Sequence, residues 1–399
     1  MEFFFYQTCI PFFHSQKNLF SFSSFHTYVK GAIGLRTAIE LINNNIQVSL
    51  YSKTHPLDKS NCSQGAGGFW MPYKCNDERI TKWSLQTLDE LIHFSKTTTT
   101  TTNNNIVEIV PAVILKTENY VQYPNNLLPD WTKHKDLSFQ ALTIEMLHWQ
   151  NSVHKLRIPS EDELKDCGYN FCWLFNSPVI DAPKMLQGML NDVTNHPLTN
   201  TVNLNMDKPF NAISEVINEA KRLNCDTIVN CTGLGSMTLC NDKSLMSGRG
   251  ALLYYDRYNC PRRFANSLNI NDCAITAEDP PWGSDKLPCY MIPRGNKIAI
   301  GGTYLEGDYD KTISSKEKEW LERNAWLLGI DTSRIENTNN VEEWVGFRPV
   351  RKPNVRVEID EEYYDNKDDI RIIHNYGHGG SGWTTFVGVA KDVLELVLK

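Results

Sequence analysis

The sequence predicts an α/β protein in which a discontinuous α/β domain is interrupted by a second, β-rich α+β domain. A glycine-rich turn lies beside a helix-like pattern near both ends of the chain, whereas the stretch after residue 248 is dominated by short β-like runs. The length of 399 residues also exceeds the size at which a single hydrophobic core usually stops growing. We therefore expect two domains and no tandem repeat.

Composition narrows the class of partner. The net charge of −7 and the scattered positive residues argue against a nucleic acid or an anionic membrane as the partner. The eleven cysteines form no C-x-x-C pair, so neither a metal site nor a disulfide framework is predicted, and reduced thiols in an intracellular compartment are the simple interpretation. No apolar run is long enough to span a membrane. A small-molecule ligand fits this composition best.

Residues 1–30 differ from the rest of the chain. They contain eight phenylalanines, one acidic residue and no glycine, and no periodicity holds for long. Neither a secretory signal nor a transit peptide has this composition. We treat them as an atypical N-terminal segment.

The first α/β elements follow this segment. Gly31–Ile42 carries apolar residues at helical spacing, and Ile46–Tyr51 alternates as a strand. Gly31 and Gly34 match the second and third glycines of the G-x-G-x-x-G turn, so these residues form the back half of a Rossmann-like βαβ unit. Helix packing is the competing interpretation of the two glycines.

The front half of that unit departs from the pattern. Val29 occupies the position of the first glycine, and residues 23–28 are mostly polar where an apolar strand is expected. Ser52 and Lys53 follow the second strand in place of the usual acidic residue. We therefore expect the first strand to be missing and the sheet to lack its central member.

A second glycine-dense loop lies at Gly65–Tyr73, where three glycines in four residues permit close approach of a ligand to the backbone. Trp70 and Tyr73 could flank a flat ring, and an ordinary crossover between domains is the alternative. Thr81–Phe94 is predicted to be a helix. The threonine and asparagine run that follows, residues 97–105, is predicted to be a solvated loop.

The remaining pattern divides the chain. Asp181–Leu190 reads as a helix capped by Asp181, Thr227–Gly235 as a strand entering a glycine turn, and Gly295-Asn296 as a hairpin turn. Glu317–Leu328 is predicted to be a charged helix. The domain limits that follow are 31–75, 181–247 and 352–399 for the Rossmann-like domain, and 76–180 and 248–351 for the substrate domain.

The segment His374–Thr384 has four glycines within six residues. The β-branched run Asp369–Ile373 precedes it, and Thr385–Leu398 continues as a buried helix. Such a loop allows close approach and directs the N–H groups and positive end of a helix toward negative charge. A cofactor site is the functional interpretation, and a tight turn without a ligand is the alternative.

Over about residues 31–399, the chain resembles the D-amino-acid oxidase and D-aspartate oxidase flavoenzymes. The motifs that carry the resemblance are Gly65–Tyr73, Val229–Gly233, Gly248–Gly250, Gly346–Arg351 and His374–Thr384. The resemblance implies that the Rossmann-like domain binds FAD and that the enzyme oxidatively deaminates D-amino acids, with O₂ as the electron acceptor and hydrogen peroxide as a product.

The same resemblance implies roles for individual residues. Arg348 and Tyr290 match residues that hold the substrate carboxylate, and Gly380 and Tyr73 match positions facing the substrate. The implied cofactor-binding residues are Gly31, Gly34, Ser63, Gly67, Gly68, Phe69, Gly379, Gly380, Ser381, Gly382, Trp383 and Thr384. No acid or base residue is implied, so the histidines are expected to be structural.

Substrate preference is read from departures within the family. Tyr73, Gly380 and the acidic stretch Ala277–Pro280 resemble the enzymes that act on neutral D-amino acids. Asn230–Ser236 instead resembles the aspartate oxidases, and Lys286 stands where the neutral enzymes have a lid tyrosine. Neutral D-amino acids are the expectation. The alternatives are a D-aspartate oxidase, an oxidase of glycine or N-methyl amino acids with the same fold, and a non-catalytic flavin-fold protein.

The incomplete first turn leaves two hypotheses: residues 1–30 come from a wrongly assigned gene structure, or the protein binds FAD poorly. The C-terminal Leu396–Lys399 is not a peroxisomal tripeptide, so peroxisome and cytoplasm both stay open. The oligomeric state cannot be read from the sequence, and a homodimer is one expectation.

Overall fold

A computed structural model describes the backbone of residues 24–29 and all atoms of the ranges that follow. These are residues 31–72, 77–97, 106–119, 121, 128–264, 272–277, 287–335, 341–361 and 370–399. Tyr73, Glu278–Pro280, Lys286 and most of the threonine and asparagine run therefore lie outside the described residues.

The described strands form two sheets. They are β1 (Ser24–Val29), β2 (Gln47–Ser52), β3 (Val107–Lys116), β4 (Gln140–Thr143), β5 (Phe171–Ile180), β6 (Thr199–Leu204), β7 (Cys225–Cys231), β8 (Leu245–Asp256), β9 (Ala274–Ala277), β10 (Cys289–Arg294), β11 (Lys297–Gly301), β12 (Leu305–Glu306), β13 (Glu342–Arg351), β14 (Arg356–Ile359) and β15 (Arg371–Tyr376). The first sheet has the order β14-β15-β7-β1-β2-β6, and the second runs β12-β8-β11-β10-β9-β3-β5-β4 with β13 paired to β8.

The α-helices of the described residues are α1 (Gly31–Asn43), α2 (Ile80–Thr97), α3 (Ile144–His154), α4 (Glu161–Asp166), α5 (Ala182–Thr194), α6 (Ile213–Arg222), α7 (Ser236–Leu239), α8 (Ser315–Leu327) and α9 (Gly382–Val397). Helices pack on both faces of the first sheet, since α1 and α9 join one core cluster while α6 buries Val216 and Ala220 in another that includes Ile228. The fold is therefore a doubly wound α/β domain together with a mixed β-rich part, as the sequence predicts.

The expectation that the central strand is missing is wrong. β1 pairs in parallel with β2 on one side, from Ser24 opposite Gln47 to Tyr28 opposite Tyr51, and with β7 on the other. Phenylalanine, threonine, tyrosine and valine in this segment favour extended backbone, and pairing on both sides satisfies its N–H and C=O groups. A polar sequence can thus complete a sheet whose hydrogen bonds do not depend on side-chain type.

The second sheet is mixed. β3 pairs in parallel with β9 and antiparallel with β5, and the long strand β8 pairs with β11, β12 and β13. The predicted Gly295-Asn296 hairpin is confirmed by the pairing of Arg294 with Lys297 and by the positive φ of Gly295. One side of this sheet buries Leu253, Ile275 and Ile300 in a core cluster with α8 residues.

Helix boundaries differ from the predictions in identifiable ways. Asp181 occupies the N-cap position of α5, as predicted, but its side chain makes no capping hydrogen bond and instead pairs with Lys184 at 3.1 Å. The charged helix α8 begins earlier than predicted because Ser314 and Glu317 form a reciprocal capping box. A capping box satisfies two backbone donors and so fixes where the helix starts.

The described residues carry nine free cysteines and contain no cluster of His, Cys, Asp and Glu suited to a metal ion. In the part of the chain that the structure describes, none of the helices is both long enough and apolar enough to cross a membrane.

Candidate active site

A cavity of about 260 Å³ opens where the two sheets meet. Its walls include residues that follow β7 and β15, at the carboxyl ends of parallel strands, and residues of β10 and β13 from the second sheet. Ligands of open α/β sheets bind at this edge, where the loops after the strands converge. The cavity is therefore the candidate site.

The start of α1 is built against the second glycine loop. Gly31 has a φ of 71°, and a side chain there would collide with Ser63. The Ala32 N–H donates to Ser63 Oγ at 3.1 Å, and the Ser63 N–H donates to Asn61 Oδ1 at 3.1 Å. Glycine is thus required at position 31, because only it accommodates both the left-handed backbone and the hydroxyl that caps the helix.

The loop of residues 60–71 runs along one wall of the cavity. A side chain at Gly65 would collide with the Trp344 indole, and one at Gly67 would come within 2.7 Å of Ile292. Trp344 also donates from Nε1 to the Lys59 carbonyl at 2.9 Å. The loop backbone is therefore pressed between β10 and β13, and its glycines leave the cavity side open to a flat ligand.

The C-terminal glycine loop forms the opposite wall. Gly379–Ser381 makes a 3₁₀ turn and leads directly into α9. Thr384 donates from Oγ1 to the Met71 carbonyl at 3.1 Å, and this bond fixes the first turn of α9 against the 60–71 loop. The N–H groups at the start of a helix lack intrahelical acceptors and carry its positive dipole, so they can receive an electron-rich ligand edge.

Arg348 lies on the cavity wall at β13. Its Nη1 donates weakly to the carbonyls of Gly248 and Thr303, at 3.4 and 3.3 Å, and a side chain at Gly250 would collide with the guanidinium. Among the described residues no carboxylate lies within ion-pair distance of Arg348. A partly buried guanidinium without a counter-charge is suited to bind a ligand carboxylate.

Tyr290 of β10 lies beside Arg348. Gly301 and Gly302 make room for its ring, since a side chain at Gly302 would lie 2.9 Å from the Tyr290 hydroxyl. Burial raises the pKa of this hydroxyl above its usual range, and the Arg348 guanidinium offsets part of the rise. Tyr290 therefore remains a neutral hydrogen-bond donor near neutral pH.

His374 of β15 and His378, which precedes the C-terminal glycine loop, are buried. His374 Nε2 lies 2.7 Å from Asp360 Oδ2 and its Nδ1 lies 3.2 Å from Asn230 Nδ2. Burial lowers the pKa of His374 and lowers that of His378 to about 3. Both are neutral imidazoles at physiological pH.

The structure brings most of the expected site residues together at one cavity. Those lining it are Ser63, Gly67, Gly68, Phe69, Tyr290, Arg348, Gly379, Gly380, Gly382, Trp383 and Thr384. Gly31, Gly34 and Ser381 are not lining residues: Gly31 and Gly34 lie at the start of α1, and Ser381 lies in the 3₁₀ turn before α9. Tyr73 falls outside the described residues.

Sequence reasoning missed Trp344, Asn61 and Cys62, which also line the cavity. Trp344 lies two residues before Gly346 on the same face of β13, and this alternation is a signal that could have found it. Asn61 is recognisable only through the turn that it forms with Ser63, because a single polar residue in a loop has no distinctive spacing.

The described residues fit FAD. Glycines of both loops line the cavity, and the start of α9 could supply donors for the carbonyl edge of an isoalloxazine ring. Ser52 stands at the end of β2, where the acidic residue that binds the ribose is usual, and its hydroxyl donates to the Thr54 carbonyl at 2.6 Å.

Comparisons with known proteins identify the family of the chain. Residues 30–396 match the sequence pattern of the family DAO, described as FAD dependent oxidoreductase. A D-amino-acid oxidase from Dictyostelium discoideum is 26% identical over 383 residues, which cover 92% of this chain and 89% of the relative.

Two solved structures share the fold. A glycine oxidase from Bacillus cereus superimposes with a TM-score of 0.65 at 12% identity, over 95% of this chain and 97% of that one. An L-α-glycerophosphate oxidase from Mycoplasma pneumoniae, solved with FAD bound, gives 0.65 at 13% identity over 94% of each chain. This chain therefore belongs to the DAO family of FAD-dependent oxidoreductases.

Proposed function

We propose that this protein catalyses the FAD-dependent oxidative deamination of D-amino acids, with a preference for neutral side chains. The observation that carries the proposal is the Arg348 guanidinium, which faces the cavity without a carboxylate partner among the described residues. An amino acid brings the missing carboxylate. The similarity to D-amino-acid oxidases supports the choice of the D enantiomer.

Arg348 and Tyr290 are the substrate-orienting pair of this proposal. The planar guanidinium offers two parallel N–H donors to a carboxylate, and the neutral Tyr290 hydroxyl adds a third. Holding the carboxylate at one point and the α-carbon at the flavin limits the substrate to few orientations. Orientation is therefore the main contribution of these side chains to the rate.

Bound FAD would supply the redox chemistry, a two-electron oxidation of the amino acid to an imino acid with reduction of O₂ to hydrogen peroxide, and the released imino acid would hydrolyse to a 2-oxo acid and ammonia. The start of α9 stabilises negative charge at the edge of the cavity that it faces. No Asp, Glu or Lys is among the described lining residues, and the proposal gives no side chain there an acid or base role.

Charge in the cavity favours neutral substrates. Arg348 is the one Lys or Arg among the described lining residues, and the α-carboxylate uses it. Gly380 adds no hydrogen-bonding side chain for a second carboxylate. A D-aspartate side chain would therefore lose its hydration without gaining a charged partner.

The test is a hydrogen peroxide assay with added FAD over D- and L-amino acids, glycine and N-methylglycine. We expect D-alanine or D-methionine to exceed D-aspartate and the L enantiomers to be inactive. A preference for glycine or N-methylglycine overturns the D-amino-acid assignment, and a preference for D-aspartate overturns the neutral preference. Protein that shows flavin absorbance but releases no peroxide with any of them contradicts the oxidase proposal itself.

We also propose that residues 31–75, 181–247 and 352–399 form the FAD-binding domain and that residues 76–180 and 248–351 form the substrate domain. All strands of the first sheet except β1 fall within the limits of the Rossmann-like domain. The strands of the second sheet fall within the limits of the substrate domain, except that β8 begins at Leu245, three residues before residue 248. Limited proteolysis with and without FAD checks these limits.

A further inference from the structure

The second glycine loop is supported from behind by two side chains. Arg294 Nη1 donates to the carbonyls of Gln64, at 3.3 Å, and of Ala66. The Tyr254 hydroxyl donates to the carbonyl of Gly65, which lies between them. Gly65 and Ala66 line the cavity, whereas neither Arg294 nor Tyr254 is among its described lining residues. The loop backbone therefore stands between Arg294 and the cavity, with three successive carbonyls bound on the far side.

Arg294 is a buried cation without an ion pair. It is 7% exposed, and among the described residues no carboxylate lies within ion-pair distance of its guanidinium. The Tyr254 ring packs on it, with 4.8 Å between Arg294 Cζ and the ring centroid. Burial raises the pKa of Tyr254 and Arg294 offsets only part of the rise, so the hydroxyl stays neutral and does not cancel the charge.

Two carboxylates lie in the neighbourhood of Arg294, and each pairs with a lysine. Asp181 approaches the backbone of the residue that follows Arg294, and it lies 3.1 Å from Lys184. Glu342 lies opposite the tyrosine in the pairing of β8 with β13, and it lies 3.8 Å from Lys297. The guanidinium is charged at any physiological pH, so a positive charge persists behind the loop.

That charge lies close to whatever fills the cavity. A hydrogen bond, a carbonyl group and a van der Waals contact separate Arg294 from a group that touches the cavity face of Ala66, a distance of roughly 8 Å. In a partly buried site, a unit charge at that distance changes the binding constant of a unit anion by about tenfold. A ligand that gains negative charge while bound is therefore stabilised by Arg294.

The isoalloxazine ring of FAD gains such a charge, because its reduction by two electrons with uptake of one proton leaves it anionic. We propose that Arg294 raises the reduction potential of the bound flavin, since its charge behind the glycine loop stabilises the reduced, anionic ring more than the neutral oxidised ring. Arg294 acts across the loop backbone and does not touch the cofactor. The proposal rests on FAD binding and not on the identity of the substrate.

Three substitutions separate this charge from the support that the loop receives. Arg294→Lys keeps the charge and a donor for a loop carbonyl, whereas Arg294→Gln keeps a donor and removes the charge. Tyr254→Phe removes the hydrogen bond to Gly65 and leaves the charge in place. Arg334→Gln, at an exposed arginine, is the control for loss of a charge elsewhere.

The measurement is the midpoint potential of the bound flavin in the full-length holoprotein, read from its absorbance in equilibrium with a chemical reductant and a dye of known potential. In Arg294→Gln, the ratio of the dissociation constants of reduced and oxidised flavin should rise about tenfold, which lowers the two-electron potential by about 30 mV. Arg294→Lys, Tyr254→Phe and the control should stay near the potential of the unaltered protein.

Three results overturn the proposal. An unchanged potential in Arg294→Gln shows that the charge does not act on the ring. An equal fall in Arg294→Lys and Arg294→Gln shows that the loop contacts of the guanidinium matter and its charge does not. A tenfold change in Tyr254→Phe shows that the position of the loop sets the potential, and this variant gives an answer even if Arg294→Gln does not fold.

The outcome is distinguishable from that of the proposed function. No substrate enters the measurement of the potential, so a failed peroxide assay leaves the role of Arg294 standing. An unchanged potential in Arg294→Gln, in turn, leaves the oxidation of D-amino acids standing.

Discussion

Trp383 Nε1 donates to the Ser63 carbonyl at 3.0 Å and so joins the first turn of α9 to the segment that caps α1. Ser63 takes part on both sides, because its hydroxyl accepts from Ala32 while its carbonyl accepts from Trp383. The two glycine turns, far apart in the sequence, are therefore held at a fixed separation across one cavity. A cofactor bound by both turns would depend on that separation.

Trp383→Phe tests this link. The substitution keeps an aromatic ring to pack against Phe386 but removes the donor, so the Ser63 carbonyl loses its partner. We expect FAD affinity to fall about 3- to 10-fold, as for one hydrogen bond, in a fluorescence titration. The exposed Trp149, replaced by phenylalanine, is the matched control and should bind FAD normally. Equal affinities in the two variants would show that the link does not position the cofactor.

Arg348→Lys tests the carboxylate site. Lysine keeps the charge but not the planar pair of donors, so the bound carboxylate loses charge-assisted hydrogen bonds. We expect KM for D-alanine to rise about 10- to 100-fold with little change in FAD affinity. Arg334→Lys at an exposed arginine is the control. An unaltered KM in Arg348→Lys would remove the central argument for an amino-acid substrate.

Two helical glycines should respond oppositely to alanine. A side chain at Gly388 in α9 would collide with the backbone of Trp83 in α2, whereas one at Gly188 in α5 meets nothing within 4 Å. Gly388→Ala should therefore destabilise the protein by about 1–3 kcal/mol, of the order found for overpacked cores. Gly188→Ala should stabilise it by roughly 0.5–1 kcal/mol, because alanine restricts the unfolded chain. Urea unfolding measures both, and a loss of stability in Gly188→Ala would contradict the open space at that position.

Much of the site can be predicted because its glycines are dictated by close approach. Gly31, Gly67 and Gly379 stand where the backbone turns or where a neighbour leaves no room for a side chain, and such requirements appear directly in the sequence. Arg348 is recognisable through its flanking motif. These features depend on neighbouring residues in the chain, so a single sequence is enough to predict them.

The errors have a different origin. The polar residues of β1 do not predict a buried strand, yet its place in the sheet depends on backbone pairing with β2 and β7, which lie elsewhere in the chain. The hydrogen bond between Thr37 and Asn375 joins residues 338 positions apart, and the sequence around neither residue predicts it. Tertiary pairing of this kind can be found only from the fold.

His378 should make stability depend on pH in a particular direction. Its pKa falls from 6.5 in the unfolded chain to about 3 in the folded protein, so the unfolded state takes up a proton first as the pH is lowered. The contribution of His378 is complete above about pH 6.5 and is lost as the pH falls from there toward 3, with a slope of at most about 1.4 kcal/mol per pH unit.

The comparison with His378→Gln isolates this contribution, because His374 and the carboxylates titrate in both proteins. We expect the difference in unfolding free energy between the two proteins to be constant from pH 7 to 8. Between pH 6.5 and 4.5 it should shift in favour of the glutamine variant. Parallel stability curves over that lower range would mean that His378 is protonated in the folded state.

The central strand β1 yields the last prediction. Thr27 pairs with Leu50 of β2 on one side and Val229 of β7 on the other, so proline at this position removes a ladder hydrogen bond and forces its ring against a neighbouring strand. We expect Thr27→Pro to cost about 3 kcal/mol or more in urea unfolding and to abolish flavin binding. Ser15→Pro, which lies ahead of the strand, is the control. If Thr27→Pro unfolds at the same urea concentration as the control, residues 24–29 do not complete the sheet, and the hypothesis that residues 1–30 come from a wrongly assigned gene structure gains its support.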